Sequence, residues 1–124
     1  MKRDLDLMRE IMLTLEEKME YGKNIMSDRL FEMMNNKTLS SAKLSYHIGL
    51  LIEVNFIDAV KTSHHRGIDF DITTITSDGQ DFLDTIRQDS TWDIIKEQAV
   101  KMGGYSLSLI VDIGKEYLKK QIGL

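Results

Sequence analysis

Apolar positions fall three and four residues apart over most of the chain, and at every second residue in one short stretch. The first spacing belongs to a helix with one buried face, the second to a strand with one wet face. Leu5, Met8, Met12, Leu15 and Met19 define a first helix from about Asp4 to Glu20. Asp4 can accept hydrogen bonds from the open amides of its first turn, and Asp6 suits the positive helix end. Leu7, Ile11 and Leu13 widen the apolar face, so a buried core helix is expected rather than a coiled coil. Gly22 suits the left-handed position that ends it. Ser27 is expected to cap a second helix carrying Leu30, Phe31, Met33 and Met34, broken at Asn35-Asn36-Lys37. A third starts near Ser40 or Ser41, with Leu44, Ile48 and Leu51 inward and Lys43, Ser45, Tyr46, His47, Gly49, Leu50 and Glu53 on or near the other side. Asn55 then turns the chain out of the helix, because Asn tolerates left-handed backbone better than any residue but Gly.

Phe56 to Lys61 reads as a strand and Thr62 to Gly67 as a hairpin loop. Ile68-Asp69-Phe70-Asp71-Ile72 alternates strictly, and the alternation slips at Thr73-Thr74-Ile75, where the strand ends or bulges. Thr76 or Ser77 caps the next helix, Asp78 complements its dipole, and Phe82, Leu83 and Ile86 share a face. Gly79, one turn in, lowers helix propensity; close approach to a neighbouring backbone would explain it. Thr91 is expected to cap a helix striped by Trp92, Ile95, Ala99 and Met102 and stopped by Gly103-Gly104. Ser106 opens the last helix, with Ile110, Ile113 and Tyr117 inward. The order predicts a mainly α (α+β) chain: a winged helix-turn-helix with a two-stranded wing over residues 1–90, and a two-helix C-terminal extension, 91–124, packed on it.

Composition narrows the function more than the fold. The apolar fraction of 42% is enough for a core, and the eight methionines sit mostly at helical spacing, as core filling. There is no cysteine, hence no disulfide or thiol chemistry. The charged start and the lack of a long apolar run predict no secretory signal and no membrane partner, so a cytoplasmic protein is expected. The net charge of −4 and pI near 5.3 argue against a generic nucleic-acid binder.

The opening Met1 to Leu7, the segment Tyr46-His47-Ile48 with Leu50-Leu51, the segment Ile75 to Asp84, and the tail from Trp92 through Gly103-Gly104 to Leu124 together resemble an uncharacterised bacterial and phage family of unknown function. That family is similar to the YjcQ proteins, which share a Thr-x-x-Gly-x-x-x-Leu and Thr-Trp pattern. The resemblance implies a winged-helix fold and a phage link, and no activity. His47-Ile48-Gly49-Leu50-Leu51 followed by Asn55-Phe56-Ile57 also looks like the recognition helix of small winged-helix repressors. By position this implies major-groove contacts from Lys43 and His47, with Ser41 and Ser45 beside them. The chain departs from that pattern at Asn55, where such helices often carry Gly.

Weak or conditional DNA binding in regulation is therefore the leading expectation. Lys43 and His47 would approach bases or phosphates, and Lys61, His64, His65 and Arg66 would grip the backbone. That edge supplies about four to six phosphate contacts, enough for weak, salt-sensitive binding to double-stranded DNA. Against this, no segment is a basic stripe. Lys43, Lys61 and Arg66 face Glu53, Asp58, Asp69 and Asp71 between Thr38 and Asp71. The alternative is a protein adaptor that docks through Tyr46 and Leu50, poor groove readers and good interface anchors. A homodimer through the C-terminal helices is a further option. His64-His65 with Asp69 or Asp71 lacks a third well-spaced ligand, so no metal is expected. No nucleophile, Gly-rich phosphate loop or other cofactor motif accompanies His47, so neither a cofactor nor catalysis is expected.

Overall fold

The long amphipathic segments fold as helices and the alternating segment as a strand in a computed structural model that describes residues 1–102 and 106–123. Among the described residues there are α1 (Leu5–Lys18), β1 (Ile25–Met26), α2 (Ser27–Met34), α3 (Ser41–Glu53), β2 (Ile57–His64), β3 (Gly67–Ile75), α4 (Ser77–Ile86), α5 (Asp89–Lys101) and α6 (Leu107–Gln121). The chain is mainly helical, with one three-stranded antiparallel sheet in the order β1-β3-β2. Its contacts fall into two units, Met1–Gln80 and Asp81–Leu124, with the boundary inside α4. No described helix is long and apolar enough to cross a membrane.

In the first unit, α1 begins where its cap predicts. The Asp4 carboxylate accepts the Leu7 N–H at 3.0 Å, and Leu5, Leu7, Met8, Ile11, Met12 and Leu15 are buried. Gly22 does take positive φ (79°), in the turn beyond the helix rather than at its cap, which is the extended Met19. Ser27 does not cap α2. Its buried hydroxyl instead accepts the Phe70 N–H at 3.0 Å, tying α2 to β3, and α2 has no side-chain cap. Asn35, in left-handed backbone, ends the helix. Strand β1 has no counterpart in the sequence reading, because two residues are too few to show alternation. It pairs Ile25 with Ile72 and Met26 with Asp71.

Helix α3 is capped by the Ser40 hydroxyl, which accepts the Lys43 N–H at 3.1 Å. Leu44, Ile48 and Leu51 are buried, and Asn55 leaves the helix at φ 62°. The hairpin is longer than expected: ladder pairs run out to His64 opposite Gly67, leaving only His65 and Arg66 as the turn. The slip in alternation is a bulge. Asp58 faces Thr74 and Ala59 faces Ile72, so Thr73 has no partner residue. Thr76 is the cap of α4. Its hydroxyl accepts the Gly79 N–H at 3.0 Å and donates to the Asn55 carbonyl. Gly79 answers the expectation of close approach, because a Cβ there would stand 2.1 Å from the Phe56 carbonyl oxygen.

In the second unit, Phe82, Leu83, Ile86, Trp92, Ile95, Ala99, Leu107, Ile110 and Ile113 are buried, and the Phe82 and Trp92 rings meet edge to face. Thr91 does not cap α5. It lies inside the helix and is buried, with Gln88 at the cap position. Met102, the last of the expected stripe, is 64% exposed. The expected stop at Gly103-Gly104 lies outside the described residues. Ser106 caps α6 by accepting the Leu109 N–H, and Tyr117 is half-buried. Gly114 sits against Thr85, whose Cβ would lie 2.7 Å from an added methyl.

Candidate interaction groove

Helical geometry decides which side chains α3 offers outward. Residues 44, 47, 48 and 51 share one face, and all four are buried. The expectation that His47 faces outward is therefore corrected: it lies three residues after Leu44 and four before Leu51, and is fully buried. Its Nε2 accepts the Asp4 N–H at 2.9 Å, which puts the ring proton on Nδ1, 2.7 Å from the Lys43 carbonyl oxygen that accepts it. His47 thus joins the start of α1 to α3 and cannot reach a base or phosphate.

Lys43 is turned to the same junction. Its ammonium lies 3.2 Å from the Asp4 carboxylate, in a cleft shared with Asp6, Glu10 and Asn36. Partial burial acts to raise the Asp4 carboxyl. The Leu7 N–H and the Lys43 ammonium outweigh it and hold the group below its ordinary value. The acidic surroundings of this cleft make it a poor phosphate site.

The outward face of α3 lines a groove of about 670 Å³ against the hairpin. Ser41, Ala42, Ser45, Tyr46, Gly49, Leu50 and Glu53 come from the helix; Lys61, Arg66, Gly67, Ile68, Asp69 and Phe70 come from β2, the turn and β3. Strand pairing explains the hairpin's share. Lys61 opposes Phe70 and Ser63 opposes Ile68, so these residues occupy the sheet face turned to α3. The Ser45 hydroxyl donates to the Ile68 carbonyl at 3.3 Å, bringing the first half of the helix against the outer half of the hairpin. Its proton is thereby committed to the fold.

His64, the next residue after Ser63, belongs to the opposite sheet face. Its Nδ1 accepts the Arg66 N–H at 3.1 Å, and its Nε2–H reaches the Asp69 carboxylate at 2.8 Å. His65 is exposed at the tip. Of the residues expected to contact DNA, Ser41, Ser45, Lys61 and Arg66 are thus brought together on one groove, whereas Lys43, His47 and His64 are held elsewhere. Tyr46 and Leu50 line the same groove. Tyr46 is 39% exposed, with its ring edge-on to His47, and Leu50 is half-buried. The sequence reading did not place Ile68 and Phe70 at a site, although their alternation puts both on this face. Among the described residues no group of three His, Asp or Glu side chains is arranged to hold a metal ion.

The family model described as "Hypothetical protein (DUF2513)" matches residues 2–106. A relative described as "Uncharacterized protein", from Haemophilus influenzae (strain ATCC 51907 / DSM 11121 / KW20 / Rd), is 32% identical over 109 residues, covering 88% of this chain and 86% of the relative. No solved structure matches the chain.

Proposed function

We propose a docking role for this chain, which belongs to the family described as "Hypothetical protein (DUF2513)": its first unit is a winged helix whose α3–hairpin groove receives a segment of another protein. The element order α1-β1-α2-α3-β2-β3 and the strand order β1-β3-β2 support the winged-helix reading. Fold alone does not choose a partner. The observation that carries the docking reading is the outward face of α3. It presents Tyr46, Leu50, Ala42 and Gly49 to the groove and no cation, because Lys43 is spent on Asp4. A groove-reading helix needs donors for base edges and phosphates. An apolar floor walled by Ile68 and Phe70 instead suits a buried side-chain anchor.

Binding to duplex DNA is the second reading, favoured by Lys61 and Arg66 lining the groove together with Ser41. Two phosphate contacts give a log–log salt slope of about −2, since each contributes about −0.9. Titration of labelled duplex at low and physiological salt separates the readings. Docking expects no saturable binding at low salt. Saturable binding with that slope, lost in Lys61→Glu/Arg66→Glu, would favour DNA. A photo-crosslinking residue in place of Tyr46 is expected to yield one discrete protein adduct, lost when Gly49→Gln fills the groove mouth. A Cβ added at Gly49 meets nothing within 4 Å, so the substitution begins in open space on the groove side of the helix.

A further inference from the structure

We infer that the groove's occupant is an acidic protein segment with one bulky apolar anchor, its carboxylates lying toward the hairpin turn. This inference rests on the docking reading above and adds the chemistry of the partner. The groove is electrically lopsided. Lys61 and Arg66 are exposed on its hairpin wall, and neither has a carboxylate partner among the described residues. The Asp69 carboxylate, which would otherwise offset them, is taken by His64 on the opposite sheet face.

The acid that remains, Glu53, closes α3 and so lies at the hairpin base, where Asn55 and Phe56 lead directly into β2. The Ser45–Ile68 hydrogen bond fixes the opposite end, near Arg66. The groove therefore runs from an acidic base, over Tyr46, Leu50, Ile68 and Phe70, to a cationic tip. Unpaired cations beside an apolar floor are complemented by a ligand that presents carboxylates next to a desolvated side chain. A nucleic-acid strand matches the cations but leaves its phosphates against the apolar floor, where they lose hydration without gaining a donor.

Selection from a library of short random peptides, displayed on phage and panned against the full chain, tests the assignment. Wild type is expected to enrich peptides combining Asp or Glu with a bulky apolar residue. The exposed Lys61→Glu/Arg66→Glu pair is expected to weaken those peptides about tenfold or more and to invert the charge preference on re-selection. Gly49→Gln is expected to abolish enrichment while the circular dichroism stays that of wild type. Enriched peptides without acidic bias, or a bias that survives the double charge reversal, overturn the partner chemistry and leave docking standing. Failure to enrich any peptide overturns both.

Discussion

His47 does its work by being polar inside. Each ring nitrogen has one partner, and the two partners come from different helices: the Asp4 N–H at the start of α1 and the Lys43 carbonyl in α3. Removing the ring leaves the part-buried Asp4 amide unpaired and a void beside Leu44 and Leu51. Loss of a buried hydrogen-bond partner costs about 1–3 kcal/mol, and the cavity adds to it. His47→Ala is expected to lower the unfolding free energy by about 2–4 kcal/mol in urea titration, with no change in duplex binding at any salt. Asp4, on the same junction, gives a pH signature. A carboxyl held below its ordinary value stabilises the fold fully above the unfolded-state pKa, here 3.8, and loses that contribution as pH falls through the lower folded-state value. Asp4→Asn keeps a capping oxygen but loses the charge. Because the side chain is 39% exposed, solvent screens the Lys43 pair, and the expected deficit is about 0.5–1 kcal/mol at neutral pH. Denaturant midpoints for the two proteins are expected to converge below pH 3.8.

At the scale of elements, two helical glycines, Gly79 and Gly49, behave oppositely. Gly79 lets α4 lie on the Phe56 carbonyl, and a methyl at 2.1 Å cannot be absorbed by a side-chain rotation because the obstacle is backbone. Gly79→Ala is expected to cost about 3 kcal/mol or more, measured by thermal or chemical denaturation. Gly49 has nothing within 4 Å of an added methyl. Gly49→Ala is expected to raise stability by about 0.5–1 kcal/mol through the lower backbone entropy of the unfolded chain. Caps tell the same story of context. Ser40, Thr76 and Ser106 accept the amides their positions predict. Ser27 has the right residue type, but the Phe70 N–H claims its hydroxyl first.

Across the whole molecule, what was legible in the sequence is what periodicity carries. The face of α1, the inward set Leu44, Ile48 and Leu51, the positive φ of Asn55, and the alternation of β3 with its slip at Thr73 all follow from spacing and local backbone preference. Strand β1 was not legible, because pairing with residues far along the chain makes it a strand, not its own two residues. His47 was legible in principle, since it shares the spacing of the buried set. Grouping it with the polar residues on or near the outer side of α3 runs against that spacing, which the structure follows. The groove was half legible: Tyr46 and Leu50 were placed on the outer face, but its second wall depends on where the hairpin folds back. The modest acidic balance, net charge −4, tempers the DNA reading at this scale as it did from composition alone.

The hairpin is anchored unequally. Its root is stitched by the Thr76 hydroxyl to Asn55 and by the close seat of Gly79 on Phe56, whereas Ser45 to Ile68 ties the outer half to the helix. A lever with a rigid fulcrum and a light catch at its far arm adjusts its opening by breaking the catch, not by bending the root. Ser45→Ala is expected to speed amide exchange around residues 66–69 several-fold while the exchange of Phe56 and Gly79 stays unchanged, so the jaw would widen to suit what it grips without loosening its own joint.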